Sequence, residues 1–370
     1  MHNDIQQIRE KIVAKFTRSA KMAADAGILP YKSENGKWIT SPYDGNSWWT
    51  GGFWPGLMWQ LWCLSGDDFF RQEAQRVENM LTEEFRRFEK LNHDVGFMYL
   101  LSCGADAKLT GSPQAKTDTL HAANLLMGRF NPAAGYIRAW NEQEKMGYAI
   151  IDSMMNLSIL FRVGRDTGDP RFAATAKLHA DMTLREFLRA DGSVSHIIEL
   201  DPFTGRRVRE LPGQGYCLGS SWSRGQAWGL YGFTLAALNT EEEKYLQAAR
   251  RIADYFIAHI RADGLTDCDF CQPEGEERID NIAGACAACG LIELEKITGN
   301  PAYRAAAEKL LDGLIDSCCD WTENSRGILT HCTASYHDDG AGRHTNLMYG
   351  DYFFTEAIAK ILGTDPMLWI

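Results

Sequence analysis

The pattern of apolar and polar residues divides the chain into two alternating kinds of segment. One kind is apolar on nearly every side, as in residues 51–64, 95–104 and 281–294. The other kind, as in residues 169–188 and 300–315, carries Arg, Lys and Glu on one side and apolar residues on the other. A helix that is apolar all round is buried, whereas an amphipathic helix covers a surface. The alternation therefore predicts inner helices surrounded by outer ones.

A recurring turn follows five of the six inner segments. Its clearest copies are Thr-Gly-Asp-Pro at 167–170 and Thr-Gly-Asn-Pro at 298–301, and variants occur at 65–68, 110–113 and 363–366. Gly is the preferred residue just after a helix, while Asp, Asn or Ser followed by Pro is a common helix start. These phrases therefore predict tight turns between paired helices.

The pattern yields six inner and six outer helices. The inner segments are 51–64, 95–104, 151–164, 221–238, 281–294 and 346–362, and the outer ones are 5–24, 69–89, 114–128, 170–189, 241–261 and 301–316. This alternation predicts an all-α fold, an (α/α)6 barrel that forms a single domain over residues 1–370. An open solenoid of helix pairs is the alternative, although solenoids usually keep a tighter repeat. Residues 192–219 and 263–278 are predicted to be long irregular loops at the barrel mouth.

Composition narrows the classes of function. The net charge of −11 argues against nucleic-acid and membrane partners, because both need a basic surface on the protein. No run of about 18 apolar residues occurs, so we expect no membrane span. The chain contains 11 Trp, 13 Tyr and 17 Phe, many of them beside Gly. That content suits a concave site whose walls stack on flat or sugar-like ligands.

The first 21 residues and the cysteines bear on location and metals. Residues 1–21 predict an amphipathic helix and not an export signal, so we expect a cytoplasmic protein whose ten cysteines are thiols.

A zinc site is an alternative use of four of these cysteines. Two CxxC pairs have a suitable spacing, Cys268 with Cys271 and Cys286 with Cys289. The second pair lies in GACAACG, a run typical of closely packed inner helices. We therefore expect neither a metal nor a cofactor.

The starts of the inner helices hold the candidate catalytic residues, Asp94 and Asp152. All inner helices of such a barrel run in one direction, so their starts meet at one end. Asp152 lies in the apolar stretch 147–161, where an unpaired charge costs several kcal/mol. Two carboxylates in a dry pocket cannot both ionise cheaply, so we expect one to keep its proton near neutral pH. A helix N-cap is the alternative role for each.

Further candidates surround these two acids. Arg224 lies in an apolar helix and needs an acidic partner, which is either a protein carboxylate in a structural pair or the carboxylate of a ligand. His196 and Gln214 lie in the predicted loop 192–219 and could reach over the mouth, although a lone loop histidine is more often a surface residue. Five aromatic residues either form stacking walls or fill the core. They are Trp49, Phe53, Trp140, Trp222 and Trp228.

Five motifs span nearly the whole chain. They are SWWTGGFWPG (47–56), NHDVGF (92–97), IDSMMNL (151–157), GSSWSRGQAWGLYGF (219–233) and YGDYFFTEAI (349–358). Together, in this order, they resemble the unsaturated glucuronyl hydrolases of glycoside hydrolase family 88. The related unsaturated rhamnogalacturonyl hydrolases share the fold and a catalytic Asp, but the residues of the second and third motifs are more similar to those of the glucuronyl enzymes.

The resemblance implies a particular substrate and reaction. The substrate is an oligosaccharide left by a polysaccharide lyase, such as a glycosaminoglycan fragment, with a C4–C5 unsaturated glucuronic acid at its non-reducing end. Asp152 would donate a proton to C4 and then take one from the water that adds at C5, and the resulting hemiketal would collapse. Asp94 would help to hold the ring and tune the proton affinity of Asp152.

The same resemblance implies the binding residues. The uronate subsite would be lined by His196, Gln214, Trp222, Arg224 and Trp228, with further stacking from Trp49, Phe53 and Trp140. Residues 268–281 and 336–343 match the family least, and they are the loops that we expect to select the adjoining sugar.

Two alternatives of other classes have less support. A sugar epimerase on the same fold would rely on histidines as acid and base, whereas this chain places Asp at its inner helix starts. A non-catalytic carbohydrate-binding protein would need the Trp walls but would have no use for Asp152.

Overall fold

The turns between paired helices form where the recurring phrase predicts them. In the computed structural model, which describes residues 1–43, 45–340 and 342–370, Gly168 and Gly299 end helices with φ of 71° and 67°. The side chains of Asp169 and Asn300 then accept hydrogen bonds from backbone N–H groups two residues further on. Each turn thus satisfies free groups of both helices locally.

Each predicted inner segment is helical, and two of the six are broken into shorter helices. The inner helices are α2 (Phe53–Ser65), α4 (Val95–Leu100) with α5 (Cys103–Thr110), α7 (Ser153–Asn156) with α8 (Ser158–Thr167), α10 (Ser223–Thr240), α12 (Asn281–Thr298) and α14 (Met348–Leu362). The outer helices are α1 (Ile5–Asp25), α3 (Asp68–Thr82), α6 (Pro113–Met127), α9 (Pro170–Glu186), α11 (Glu243–Ala258) and α13 (Pro301–Ser317). Short 3-10 turns occur at Gly45–Ser47, Trp49–Gly52, Glu83–Lys90 and Gln143–Lys145.

The inner helices form a closed ring. Successive inner helices pack on each other, and α14 packs against α2, so the last inner helix meets the first. Each outer helix lies against its inner neighbour, as α13 does against α12 and α1 does against α14. The predicted (α/α)6 barrel is therefore confirmed over the open solenoid. Across the described ranges, no helix is both long enough and apolar enough to cross a membrane.

The cysteine-containing run of α12 lies in the barrel interior. A Cβ at Gly290 would come within 2.3 Å of a Leu230 side-chain atom, so α12 and α10 approach too closely for any larger residue. Cys286 and Cys289 are fully buried in this helix, and the Cys289 thiol lies 3.3 Å from the Phe353 carbonyl oxygen. Cys271 is exposed by contrast. Within the described residues, no three His, Cys, Asp or Glu side chains are grouped so as to hold a metal ion.

Short strands lie at the mouth of the barrel, and the prediction that residues 192–219 form an irregular loop was wrong. Residues 192–219 are not wholly irregular, because β6 (Ile197–Leu200) and β7 (Arg207–Leu211) form an antiparallel hairpin that pairs with β5 (Tyr148–Ile150). The pairing partner of β6 lies some fifty residues earlier, which a local pattern cannot reveal. Residues 263–278 are irregular, as predicted. The other strands are β1 (Lys32–Glu34), β2 (Lys37–Ile39), β3 (Phe130–Asn131), β4 (Tyr136–Ile137) and β8 (Asn346–Leu347).

Candidate active site

The two candidate acids lie at the starts of neighbouring inner helices. Asp94 precedes α4 and Asp152 precedes α7, and α4 packs against α7. Both residues are buried, with 7% and 8% of their surface exposed. Within the part of the chain that the structure describes, neither carboxylate makes a capping hydrogen bond to its helix. The N-cap alternative is therefore wrong for both, and both side chains are free for another task.

Polar side chains surround the Asp94 carboxyl. Asn156 Nδ2 donates to its Oδ1 at 3.3 Å, and His93 Nε2 lies 3.4 Å from its Oδ2. Burial, and then the negative charge of Asp152, raise the pKa of Asp94 to about 8. Burial lowers the pKa of His93 to about 3, so that ring is neutral. One acid of the pair thus keeps its proton at neutral pH, as the argument from paired carboxylates predicts.

His196 is brought to Asp152 by the pairing of β5 with β6. Ile150 pairs with Ile197, and one step further the Ile151 N–H donates to the His196 carbonyl oxygen at 3.0 Å. His196 Nε2 then lies 3.6 Å from Asp152 Oδ1. His196 is only 6% exposed, so its alternative role as a surface residue is wrong.

Gln214 fixes the orientation of the His196 ring. The backbone N–H of Gln214 donates to His196 Nδ1 at 3.0 Å, so Nδ1 is the acceptor and the ring N–H is on Nε2, which faces Asp152. The side chain of Gln214 donates to the carbonyl oxygen of Ala334 at 2.7 Å. Gln214 therefore links the hairpin region to residues 334–336 at the mouth.

Arg224 has a protein partner. Its guanidinium lies 2.7 Å from Asp280, and the two side chains are 1% and 0% exposed. It also donates to the Thr333 carbonyl oxygen at 2.9 Å and lies over the rings of Trp222 and Tyr349, at 4.6 and 5.4 Å from their centroids. The structural alternative for Arg224 is therefore confirmed. Its pairing with Asp280 also fixes the Trp222 ring.

The aromatic candidates separate into walls and core. Trp222 lies 4.3 Å from the His196 ring, and Trp140 lies 6.4 Å from the ring of His93. Trp140 and Trp49 are half-buried, so both offer surface to a ligand. Trp140 and Trp49 therefore fit the predicted stacking walls, whereas Trp222 is only 3% exposed and its ring is in contact with His196 and Arg224.

Two aromatic candidates belong to the core. Phe53 and Trp228 are fully buried, and both pack on Phe97 and Phe353 at centroid distances of 5.3 to 5.5 Å. A side chain enclosed by other aromatic rings has no face left for a sugar. Their predicted direct contact with a ligand is wrong in this structure, and they support the walls from below.

Four residues of the site were missed by the sequence analysis, namely His93, Ser153, Asn156 and Tyr349. His93 Nδ1 lies 3.0 Å from Ser153 Oγ, and Asn156 contacts Asp94, so both pairs connect α4 with α7. All four lie inside the quoted motifs. The His93–Ser153 and Asp94–Asn156 pairs each join residues about sixty positions apart, which a single sequence does not show.

Comparisons with known proteins agree on one family. An unsaturated glucuronyl hydrolase of Bacillus sp. (strain GL1) is 34% identical over 328 residues, covering 85% of this chain and 86% of that protein. An unsaturated chondroitin disaccharide hydrolase of Streptococcus pyogenes serotype M1 is 33% identical over 334 residues, covering 88% of this chain and 84% of that protein. No family model matches the chain.

The solved structures agree with these relatives. The crystal structure of the unsaturated glucuronyl hydrolase from Bacillus sp. GL1, described as responsible for the degradation of glycosaminoglycan, superposes with a TM-score of 0.92. It is 31% identical, and the match covers 99% of each chain.

Proposed function

The chain belongs to the unsaturated glucuronyl hydrolase family and is a glycosidase. We propose that it releases C4–C5 unsaturated glucuronic acid from the non-reducing end of lyase-generated oligosaccharides. Glycosaminoglycan fragments are the proposed source, since one relative is named for a chondroitin disaccharide. The observation that carries the proposal is a pair of buried carboxylates at adjoining helix starts, those of Asp94 and Asp152, neither of which caps its helix. Such a pair supplies an acid and a base in one dry site.

Asp152 is the proposed proton donor and acceptor. The π electrons of the C4–C5 bond take its proton at C4, which leaves a cation at C5 that the ring oxygen stabilises. Water adds at C5 and returns a proton to Asp152. The hemiketal then opens by breaking the bond between C5 and the ring oxygen, and the hemiacetal left at C1 expels the neighbouring sugar. The position of Asp152 beside His196 Nε2, which can hold a polar group at the same place, supports this role.

Asp94 is the proposed partner acid. Its pKa of about 8 keeps it neutral at pH 7. A neutral carboxyl donates a hydrogen bond to the sugar ring and avoids placing a third negative charge beside Asp152 and the substrate carboxylate. Asp152 must carry a proton before it can give one to C4, so the single proton of the pair passes from Asp94 to Asp152 for that step and returns to Asp94 when water adds at C5.

The binding residues remain proposals of the same kind. Trp140 and Trp49 are the proposed surfaces for the sugar rings, Trp222 borders the site beside His196, and Phe53 and Trp228 support them. His196 and Gln214 border Asp152, and Arg224 holds Trp222 in place. We further propose that residues 1–370 act as one catalytic domain. A cytoplasmic location is supported by the ten cysteines, all of which are free thiols.

The test is an absorbance assay. Unsaturated disaccharides from chondroitin, hyaluronan and heparin are mixed with the protein, and the ultraviolet absorbance of the conjugated double bond is followed. We expect it to decay with at least one of them, and a saturated disaccharide serves as the control. An unsaturated rhamnogalacturonan disaccharide distinguishes the related specificity. Stable absorbance with every glucuronyl substrate would contradict the proposal.

A further inference from the structure

Aspartate at a helix start usually caps that helix in this chain. The carboxylate of Asp4 accepts from two N–H groups of α1, that of Asp169 from the Arg171 N–H, and that of Asp280 from the Ile282 N–H. Asp94 occupies the same position before α4, yet among the described residues its carboxylate accepts no such bond. The N–H groups in the first turn of α4 therefore need another partner.

Asn156 of α7 supplies that partner. The N–H of Phe97, the third residue of α4, donates to Asn156 Oδ1 at 2.6 Å. This is the bond that an N-cap side chain at position 94 would accept. Because Oδ1 accepts from Phe97, the orientation of the amide is fixed. Its Nδ2 then donates to Asp94 Oδ1 and to the carbonyl oxygen of Asp152, each at 3.3 Å.

The close approach of the two helix starts depends on Gly96. A Cβ at this position would lie 2.5 Å from Asn156 Cα and 2.6 Å from its Oδ1, well inside contact distance. Asn156 itself is only 1% exposed. A glycine in α4 and a buried amide in α7 thus form one fitted contact beside both acids.

We propose that Asn156 is a positioning residue that caps α4 in place of Asp94 and so releases the Asp94 carboxyl to face Asp152 and the substrate. A catalytic purpose for that release rests on the proposed function. The capping of α4 by Asn156 in place of Asp94 does not depend on that function, because it concerns contacts within the protein alone.

The exchange has an electrostatic consequence. A carboxylate that accepts backbone N–H bonds at a helix start is stabilised in its charged form, which lowers its pKa. Asp94 is buried and its carboxyl accepts no such backbone bond, and its pKa is raised to about 8. The titratable and charged groups that face it are His93 from its own loop, Asp152 from the start of α7, and Arg129 from the end of α6. Of the influences on its pKa, burial is the largest.

Two variants separate the two contacts of the Asn156 amide. Asn156→Ala removes the acceptor for the Phe97 N–H, so the Asp94 carboxylate should turn to cap α4. Carbon-13 NMR of labelled aspartate carboxyls, assigned with Asp94→Asn, measures the result without substrate. We expect the Asp94 midpoint to fall by about one pH unit or more. Asn156→Asp keeps the acceptor and adds a negative charge, so its midpoint should stay at or above that of the wild type.

Activity provides a second readout. The alkaline limb of the kcat/KM profile should move to lower pH in Asn156→Ala, whereas a purely structural defect would lower activity equally at every pH. A folded Asn156→Ala variant whose Asp94 titrates at or above the wild-type midpoint would overturn the proposal. If that variant does not fold, Asn156→Ser, whose hydroxyl is too short to reach the Phe97 N–H, gives the same comparison. An inactive wild type with the expected titrations would count against the proposed function alone.

Discussion

His196 Nε2 lies 3.6 Å from Asp152 Oδ1, while Nδ1 of the same ring accepts the Gln214 N–H at 3.0 Å. Over the described residues, neither His196 Nε2 nor Asp152 Oδ1 has a hydrogen-bond partner, although both are buried. Buried polar atoms are normally paired, because desolvation without a partner costs about 1–3 kcal/mol. A donor and an acceptor left in this state side by side are suited to hold a small polar group, such as a water molecule or a sugar hydroxyl.

Asp152→Asn should remove most of the activity and leave the fold intact. The amide has the shape of the carboxyl but cannot give a proton to C4 or take one from water. We expect kcat/KM to fall by roughly 10²–10⁴-fold. The measurement is the absorbance assay with an unsaturated disaccharide, accompanied by thermal unfolding. Turnover near the wild-type rate in a folded variant would return Asp152 to a structural role.

His196→Gln should lower kcat/KM by about 10–100-fold, because the new side chain cannot accept from Gln214 and face Asp152 with the geometry of the ring. His179→Gln is the matched control. His179 is also buried, and its Nδ1 also accepts a backbone N–H, that of Ile137 at 2.9 Å, but it lies in the outer helix α9. We expect this control to lose stability and to keep its kcat/KM. Equal losses of activity in the two variants would indicate a packing effect.

The sequence predicts the barrel and its two acids because both depend on local patterns. Helical periodicity identifies the inner and outer helices, and the shared direction of the inner helices places Asp94 and Asp152 at one end. The partners of buried charges depend on contacts that are distant in sequence. Arg224 was expected to need an acid, but only the structure shows that it is Asp280, 56 residues away. The same limit hid the cap that Asn156 provides to α4.

Activity should fall as the pH rises through about 8, where Asp94 loses its proton. A charged Asp94 would repel the substrate carboxylate and could no longer donate to the sugar ring, and the pair would have no proton left for C4. The profile of kcat/KM between pH 5 and 10 tests this, since it reports groups of the free enzyme. The alkaline limb should be absent from the residual activity of Asp94→Asn. Wild-type activity that keeps rising above pH 9 would contradict a role for protonated Asp94.

Asp94→Asn should stabilise the protein while it impairs catalysis. The pKa of Asp94 is about 8 in the folded chain against an ordinary value of 3.8, so the unfolded chain releases this proton first. The contribution of Asp94 to stability is therefore complete below about pH 4 and is lost progressively as the pH rises to about 8. An asparagine has no proton to lose, so the advantage of the variant should grow across this range. We expect it to reach roughly 1–4 kcal/mol near pH 7.5.

Urea unfolding at pH 4.5 and pH 7.5 measures this difference between Asp94→Asn and the wild type. Asp169→Asn is the control, because Asp169 is a half-buried helix cap of an outer helix and asparagine caps nearly as well. The pKa of Asp169 is lowered, first by its hydrogen bond with Arg171, so this substitution carries the opposite sign. An advantage of Asp94→Asn that is the same at both pH values would show that Asp94 titrates normally. Asp152 would then be the acid that keeps a proton at neutral pH, and the proposed roles of Asp94 and Asp152 would have to be exchanged.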